Sequence, residues 1–181
     1  MAENQVRIDG AVGSYTTTNP AFTGGYVYSQ DEIAGVVAAN NFIALTNPVG
    51  SGKTILVAGV FITSSTIGGV SSAPPLRGFL ATSVSGGTLQ AASVIGKIRS
   101  TMPNSVGQIR TGNPTATLGA AWFNSPATLA AASESPGFIH QVPATIPAGS
   151  ITLLPGESTV LRTASGDVNQ RWNMTIAWSE I

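Results

Sequence analysis

Residues 41–66, NFIALTNPVGSGKTILVAGVFITSST, constrain the fold more than any other stretch of this chain. Two apolar runs, 42–46 and 54–63, flank a turn-forming segment, Asn47-Pro48-Val49-Gly50-Ser51-Gly52-Lys53. The second run is rich in Ile, Leu, Val and Phe and carries no charge. Runs of this kind between Gly, Pro and Asn clusters form strands, and so short a polar spacer predicts a hairpin.

The spacer also ends in Gly52-Lys53-Thr54, the closing half of a phosphate loop. A complete loop needs Gly-x-x-x-x-Gly-Lys-Ser/Thr after a strand and before a helix. Its backbone N–H groups cradle the phosphates, and the helix dipole favours their charge. Here Asn47 stands where the first glycine belongs, and Pro48 follows it. The residues after Thr54 are β-branched around a central Gly59, which favours a strand over a helix. No acidic Mg²⁺ ligand is apparent at the end of another apolar strand. A nucleotide hydrolase is therefore the weakest reading, and the segment is expected to be a turn.

Charge narrows the function further. Only 9% of the residues are charged, against about a quarter in an average soluble protein, and eight basic side chains balance eight acidic ones. Binding to DNA or RNA needs clustered Lys and Arg, so no nucleic-acid partner is expected. A weakly charged, 43% hydrophobic chain suits a surface covered by neighbours better than a free monomer. With no cysteine, disulfides and thiolate chemistry are excluded. Residues 1–20 show no basic segment leading into an apolar one, so no secretory leader is expected. The longest apolar run, 55–62, is too short to cross a bilayer as a helix, and no membrane partner is expected. The chain is 181 residues long, enough for one domain, and with no leader it is expected to be made in the cytoplasm.

Residues 1–30 are small and polar, with Tyr15, Phe22, Tyr26 and Tyr28 interleaved among Gly and Thr. They are expected to form an extended arm that its aromatic rings anchor, on its own core or on a neighbour. Residues 31–181 then form the single folded domain. Ser29-Gln30-Asp31-Glu32 matches a capping box, and Ile33, Val36 and Val37 follow at helical spacing, which predicts a short helix over 30–39. Asp31 and Glu32 are then first-turn residues suited to the helix dipole, with no acid–base role. Further strands are expected at 76–83, 88–101, 106–111, 137–142, 150–154, 158–164 and 171–179, and the 118–124 segment, with Trp122 and Phe123, is expected in the core or an interface. A second short helix follows Ser125-Pro126. Many short strands with two small helices and no βαβ series predict an antiparallel sandwich or barrel.

Catalytic constellations are sparse. His140 is the one histidine, and no Gly-x-Ser-x-Gly elbow accompanies it, so it is expected to be structural. One His, no Cys and scattered carboxylates predict no metal and no cofactor. Glu134, Glu157 and Glu180 could form a glycosidase pair only by converging from separate segments. They are expected to be loop charges. No enzyme activity is expected.

The tail of the chain carries a more specific pattern. A strand at 151–154, a Pro155-Gly156-Glu157 turn, a strand from Ser158 and a last strand ending Ile176-Ala177-Trp178-Ser179-Glu180 follow in order. Together with Asn47-Pro48-Val49-Gly50-Ser51-Gly52-Lys53, this resembles the small jelly-roll or β-sandwich virion proteins of tailed bacteriophages. The resemblance covers under a third of the chain. It implies a jelly-roll-like β-sandwich, a turn at 47–53 that binds no nucleotide, and a structural role in the virion. A capsid decoration, or cement, protein is the first expectation. It would work as a homo-oligomer, a trimer by the resemblance, on the major capsid protein or another virion protein. A tail, fibre or baseplate component that binds a host glycan through an exposed Trp122 or through Tyr side chains is the alternative.

Overall fold

Large apolar side chains at every second position bury one face of a strand, and the last strand follows that rule closely. In the computed structural model of the chain, Trp172, Met174, Ile176 and Trp178 of β12 (Arg171–Glu180) are each at most 1% exposed. The structure describes residues 25–34, 39–66, 76–124, 139–141, 151–163 and 171–181.

Two antiparallel sheets face each other. In the first, β12 lies between β3 (Ile55–Thr66) and β1 (Gly25–Ala34). β6 (Gly96–Lys97) follows β1 at one side. β9 (Ile139–Gln141) and β10 (Thr152–Leu153) both pair with β3 at the other. The second sheet runs β5 (Thr88–Leu89), β7 (Gln108–Thr111), β2 (Asn40–Thr46), β11 (Ser158–Thr163), β4 (Leu76–Ser85), β8 (Thr115–Asn124). One core joins them: Tyr26, Ile55, Ile62, Trp172 and Trp178 from the first sheet, and Phe42, Ile43, Leu45, Ile109 and Leu161 from the second. The protein is an all-β sandwich.

The sandwich corrects several expectations. Residues 42–46 and 54–63 are strands, but they form no hairpin. β2 sits between β11 and β7, whereas β3 sits between β12 and the short strands β9 and β10, so the 47–54 segment crosses from one sheet to the other. β2 is buried along Asn40–Leu45 on both faces, as a central strand should be, and both its edges are taken. Among the described residues no two strands consecutive in sequence pair with each other.

The helix expected over 30–39 is absent from its described part, because residues 30–34 continue β1. Pairing with β12 outweighs the capping signal. The Ser29 hydroxyl lies 2.8 Å from Thr175 Oγ1, and the Glu32 N–H donates to Asn173 Oδ1 at 2.8 Å, where a capping box would have used them locally. The register shifts between Gln30 and Ile33, a bulge that sets Glu32 at φ 54°. The strand expected over 88–101 is three short pieces: β5, a 3₁₀ turn at Ala92–Val94, and β6. Gly96 is the reason β6 can lie close to β1, since a Cβ there would stand 2.8 Å from Val27 Cγ1. The second helix, after Ser125-Pro126, lies outside the described residues.

Candidate functional site

Asn47 opens the most tightly organised region of the molecule. It is fully buried, and a buried amide is costly unless its groups are paired. Its Nδ2 donates to the carbonyls of Lys53 and Leu153, each at 2.8 Å. Its Oδ1 accepts from Ser51 Oγ at 2.7 Å. The Asn47 N–H donates to the Glu157 carbonyl at 2.9 Å, and its own carbonyl accepts from the Gly156 N–H at 2.7 Å. The segment 47–53 and the Pro155-Gly156-Glu157 turn therefore close on one another around a single side chain.

The glycines here serve the turn. Gly50 and Gly52 have φ of 76° and 66°, a region other L-residues avoid, and the Ser51 N–H bonds to the Pro48 carbonyl at 3.1 Å. Strand β3 begins at Ile55, so no helix N-terminus follows Lys53. Gly-Ser-Gly-Lys thus lacks the helix dipole that a phosphate loop presents, and its Ser51 and Lys53 N–H groups are already bonded, to the Pro48 carbonyl and Ser51 Oγ.

Beside this turn lies a cavity of about 360 Å³, lined by Tyr26, Lys53, Met102, Pro103, Asn104, Val106 and Glu180. Several of its polar groups are spent on structure. One Glu180 oxygen accepts from Ser105 Oγ, from the Gly107 N–H at 3.0 Å and from Trp178 Nε1 at 3.2 Å. The other takes the Val106 N–H at 3.2 Å. Tyr26 donates its hydroxyl to the Pro103 carbonyl at 3.2 Å, and Lys97 donates Nζ to the Met102 carbonyl at 3.0 Å. Burial first, and the Glu180 charge second, raise the Tyr26 phenol above its usual pKa; burial alone raises that of Tyr28.

The four aromatics expected to anchor an arm divide. Tyr15 and Phe22 lie outside the described residues. Tyr26 and Tyr28 belong to β1 and are 4% and 6% exposed, with the Tyr26 ring stacked on Trp178 at a centroid distance of 5.9 Å. Residues 25–30, expected to be arm, are thus the first part of the sandwich.

Trp122 is half-buried and turned toward the core. Its Nε1 donates to Thr159 Oγ1 at 2.9 Å, and its ring covers Gly78 so closely that a Cβ there would fall 2.5 Å from it. The ring is no free platform for a sugar. The His140 backbone pairs with Ile62. The Glu157 carboxylate accepts from the Leu154 N–H at 2.7 Å, so Glu157 and Glu180 serve separate turns, and Glu134 lies outside the described residues. Among the described residues no group of His, Cys, Asp or Glu is placed to hold a metal ion.

At the opposite end, Gln30, Glu32, Ile33, Ala34, Asn40, Phe42, Gly112 and Asn113 line a cavity of about 310 Å³. The amide oxygens of Gln30 and Asn40 are buried without a partner. Those oxygens have almost no accessible surface, so a molecule in the cavity would not reach them. The role of Asn47 was hidden in the sequence, where Asn-Pro signals only a turn. No family model matches the chain, and no similar curated protein or solved structure was found.

Proposed function

We propose that this chain is a structural protein of a tailed-phage virion, and most specifically a decoration protein that stabilises the head shell. One observation carries the reading. Two of the segments on which the resemblance rests, 47–53 and 155–157, interlock through the buried Asn47 and so behave as one structural feature.

The strand order supports the jelly-roll part of the reading. Taking the main strands in chain order, β1, β3, β9 with β10, and β12 fall in one sheet, and β2, β4 with β8, and β11 in the other. The chain thus alternates between sheets in the manner of two wound Greek keys. Scarce charge supports a surface that neighbours cover. The work such a protein does is mechanical: a rigid sandwich bridges shell subunits, and self-association adds further contacts. Its partners would be copies of itself and the major capsid protein or another virion protein.

Quantitative mass spectrometry of purified particles tests this. A decoration protein appears in a copy number proportional to the major capsid protein. A few copies per particle favour the tail or fibre reading, and absence from particles overturns both.

A further inference from the structure

Unpaired strand edges invite stray pairing, and three of the four sheet edges here are blunted against it. β6 ends the first sheet with two residues, one of them Lys97. β9 and β10 end its other side with three and two residues. β5, two residues long, ends the second sheet next to β7, where Arg110 donates Nη1 to the Gly86 carbonyl at 2.9 Å.

The fourth edge is different. β8 ends the second sheet with ten residues, TATLGAAWFN, with no charge and no proline. β4 pairs with one side of it, and among the described residues no strand pairs with the other. Toward the described residues, its other side therefore holds out a row of N–H and C=O groups. Thr115, Thr117, Gly119, Ala120 and Ala121 are exposed and small, so no bulky group screens that row. Three register shifts interrupt the pairing of β8 with β4: two place an extra residue in β8, one of them Trp122, which turns over Gly78 toward the core, and the third places Thr82 as the extra residue of β4.

We infer that β8 pairs antiparallel with the β8 of a second copy, about a two-fold axis, joining two six-stranded sheets into one. Three features select a second copy as the occupant. A two-fold places the same strand on both sides, so every contact occurs twice. A charged strand would meet its own charges across such an axis, and β8 has none. The whole chain has a formal charge of zero, so copies do not repel at a distance. Of the other described edges, β6, β9, β10 and β5 are two or three residues long, and the stretch of β1 beyond β6, 28–34, carries Asp31 and Glu32, which argues against a head-to-tail ring and hence against the trimer implied by the resemblance.

The inference rests on reading the chain as a self-associating structural protein, but not on which particle it serves. Because the full chain lacks cysteine, Thr117→Cys, Ala120→Cys and Ala121→Cys each introduce a single thiol, and Ala58→Cys, exposed on β3, is the control. Mild oxidation should link a β8 thiol to itself only where it lies at the two-fold axis, with off-axis thiols linking only in mixtures, and should leave the control monomeric on a denaturing gel. Linked pairs in mixtures should keep the sum of their residue numbers nearly constant, the signature of antiparallel register. Ala120→Lys with Ala121→Lys should weaken the dimer at least tenfold in light scattering, with an unchanged circular dichroism spectrum. A monomeric full chain overturns the inference, as does a trimer or an oligomer indifferent to the lysines. If the protein binds particles and its β8 thiols stay unlinked, this inference alone fails. If they link and the protein is absent from particles, the virion reading alone fails.

Discussion

Asn47 and Lys53 stand six positions apart in one turn and should respond oppositely to the same substitution. Asn47→Ala leaves the buried Leu153 carbonyl without its amide donor and Ser51 Oγ without its Oδ1 acceptor, and a buried group left unpaired costs about 1–3 kcal/mol. Lys53 is exposed, and Lys53→Ala should fall within about 0.5 kcal/mol of the parent. Urea unfolding of the two variants checks both values, and equal midpoints would contradict the account. Tyr26 gives a pH signature. Its raised pKa means that the folded state holds the phenol proton more tightly than the unfolded state does. This contribution is complete below the unfolded value near 10 and is lost as pH rises through the folded one. Stability should be insensitive to Tyr26 at neutral pH and decline above about pH 10, and Tyr26→Phe should shrink that decline. Thermal melts across the alkaline range measure it, and identical alkaline slopes for parent and variant would exclude this role for Tyr26.

Among the elements, β12 was the most legible in sequence and β1 the least. The alternation from Trp172 to Trp178 needs only one strand's own residues to be read, and its burial follows directly. Trp178 is fully buried, stacks on Tyr26 and bonds to Glu180, so Trp178→Ala should cost about 3–5 kcal/mol in chemical denaturation. A loss below about 1 kcal/mol would mean that this face is not the core it is described to be. β1 misled because Ser-x-x-Glu and the spacing of Ile33, Val36 and Val37 are local signals. What decides its state is β12, more than a hundred residues away. The 47–53 turn was legible as a turn for the same local reason, since Gly50 and Gly52 announce positive φ. Which sheets it joins depended on β11 and β7 claiming the edges of β2, and nothing within residues 41–66 carries that information.

For the molecule as a whole, the sequence revealed strands and hid their pairing, because every pairing seen is non-local. Such topologies fold slowly, since loop closure must precede the contacts that reward it. Composition remained informative at this scale: scarce charge is what a surface covered by neighbours would carry. The central claim is that this body belongs to a virion shell, and cryo-electron microscopy of the intact particle tests it most directly. The account predicts sandwich-shaped density on the outer face of the head, fitted by the two sheets, at a copy number set by the symmetry of the shell. A shell map with no such density, from particles that contain the protein in amounts matching the major capsid protein, would contradict it.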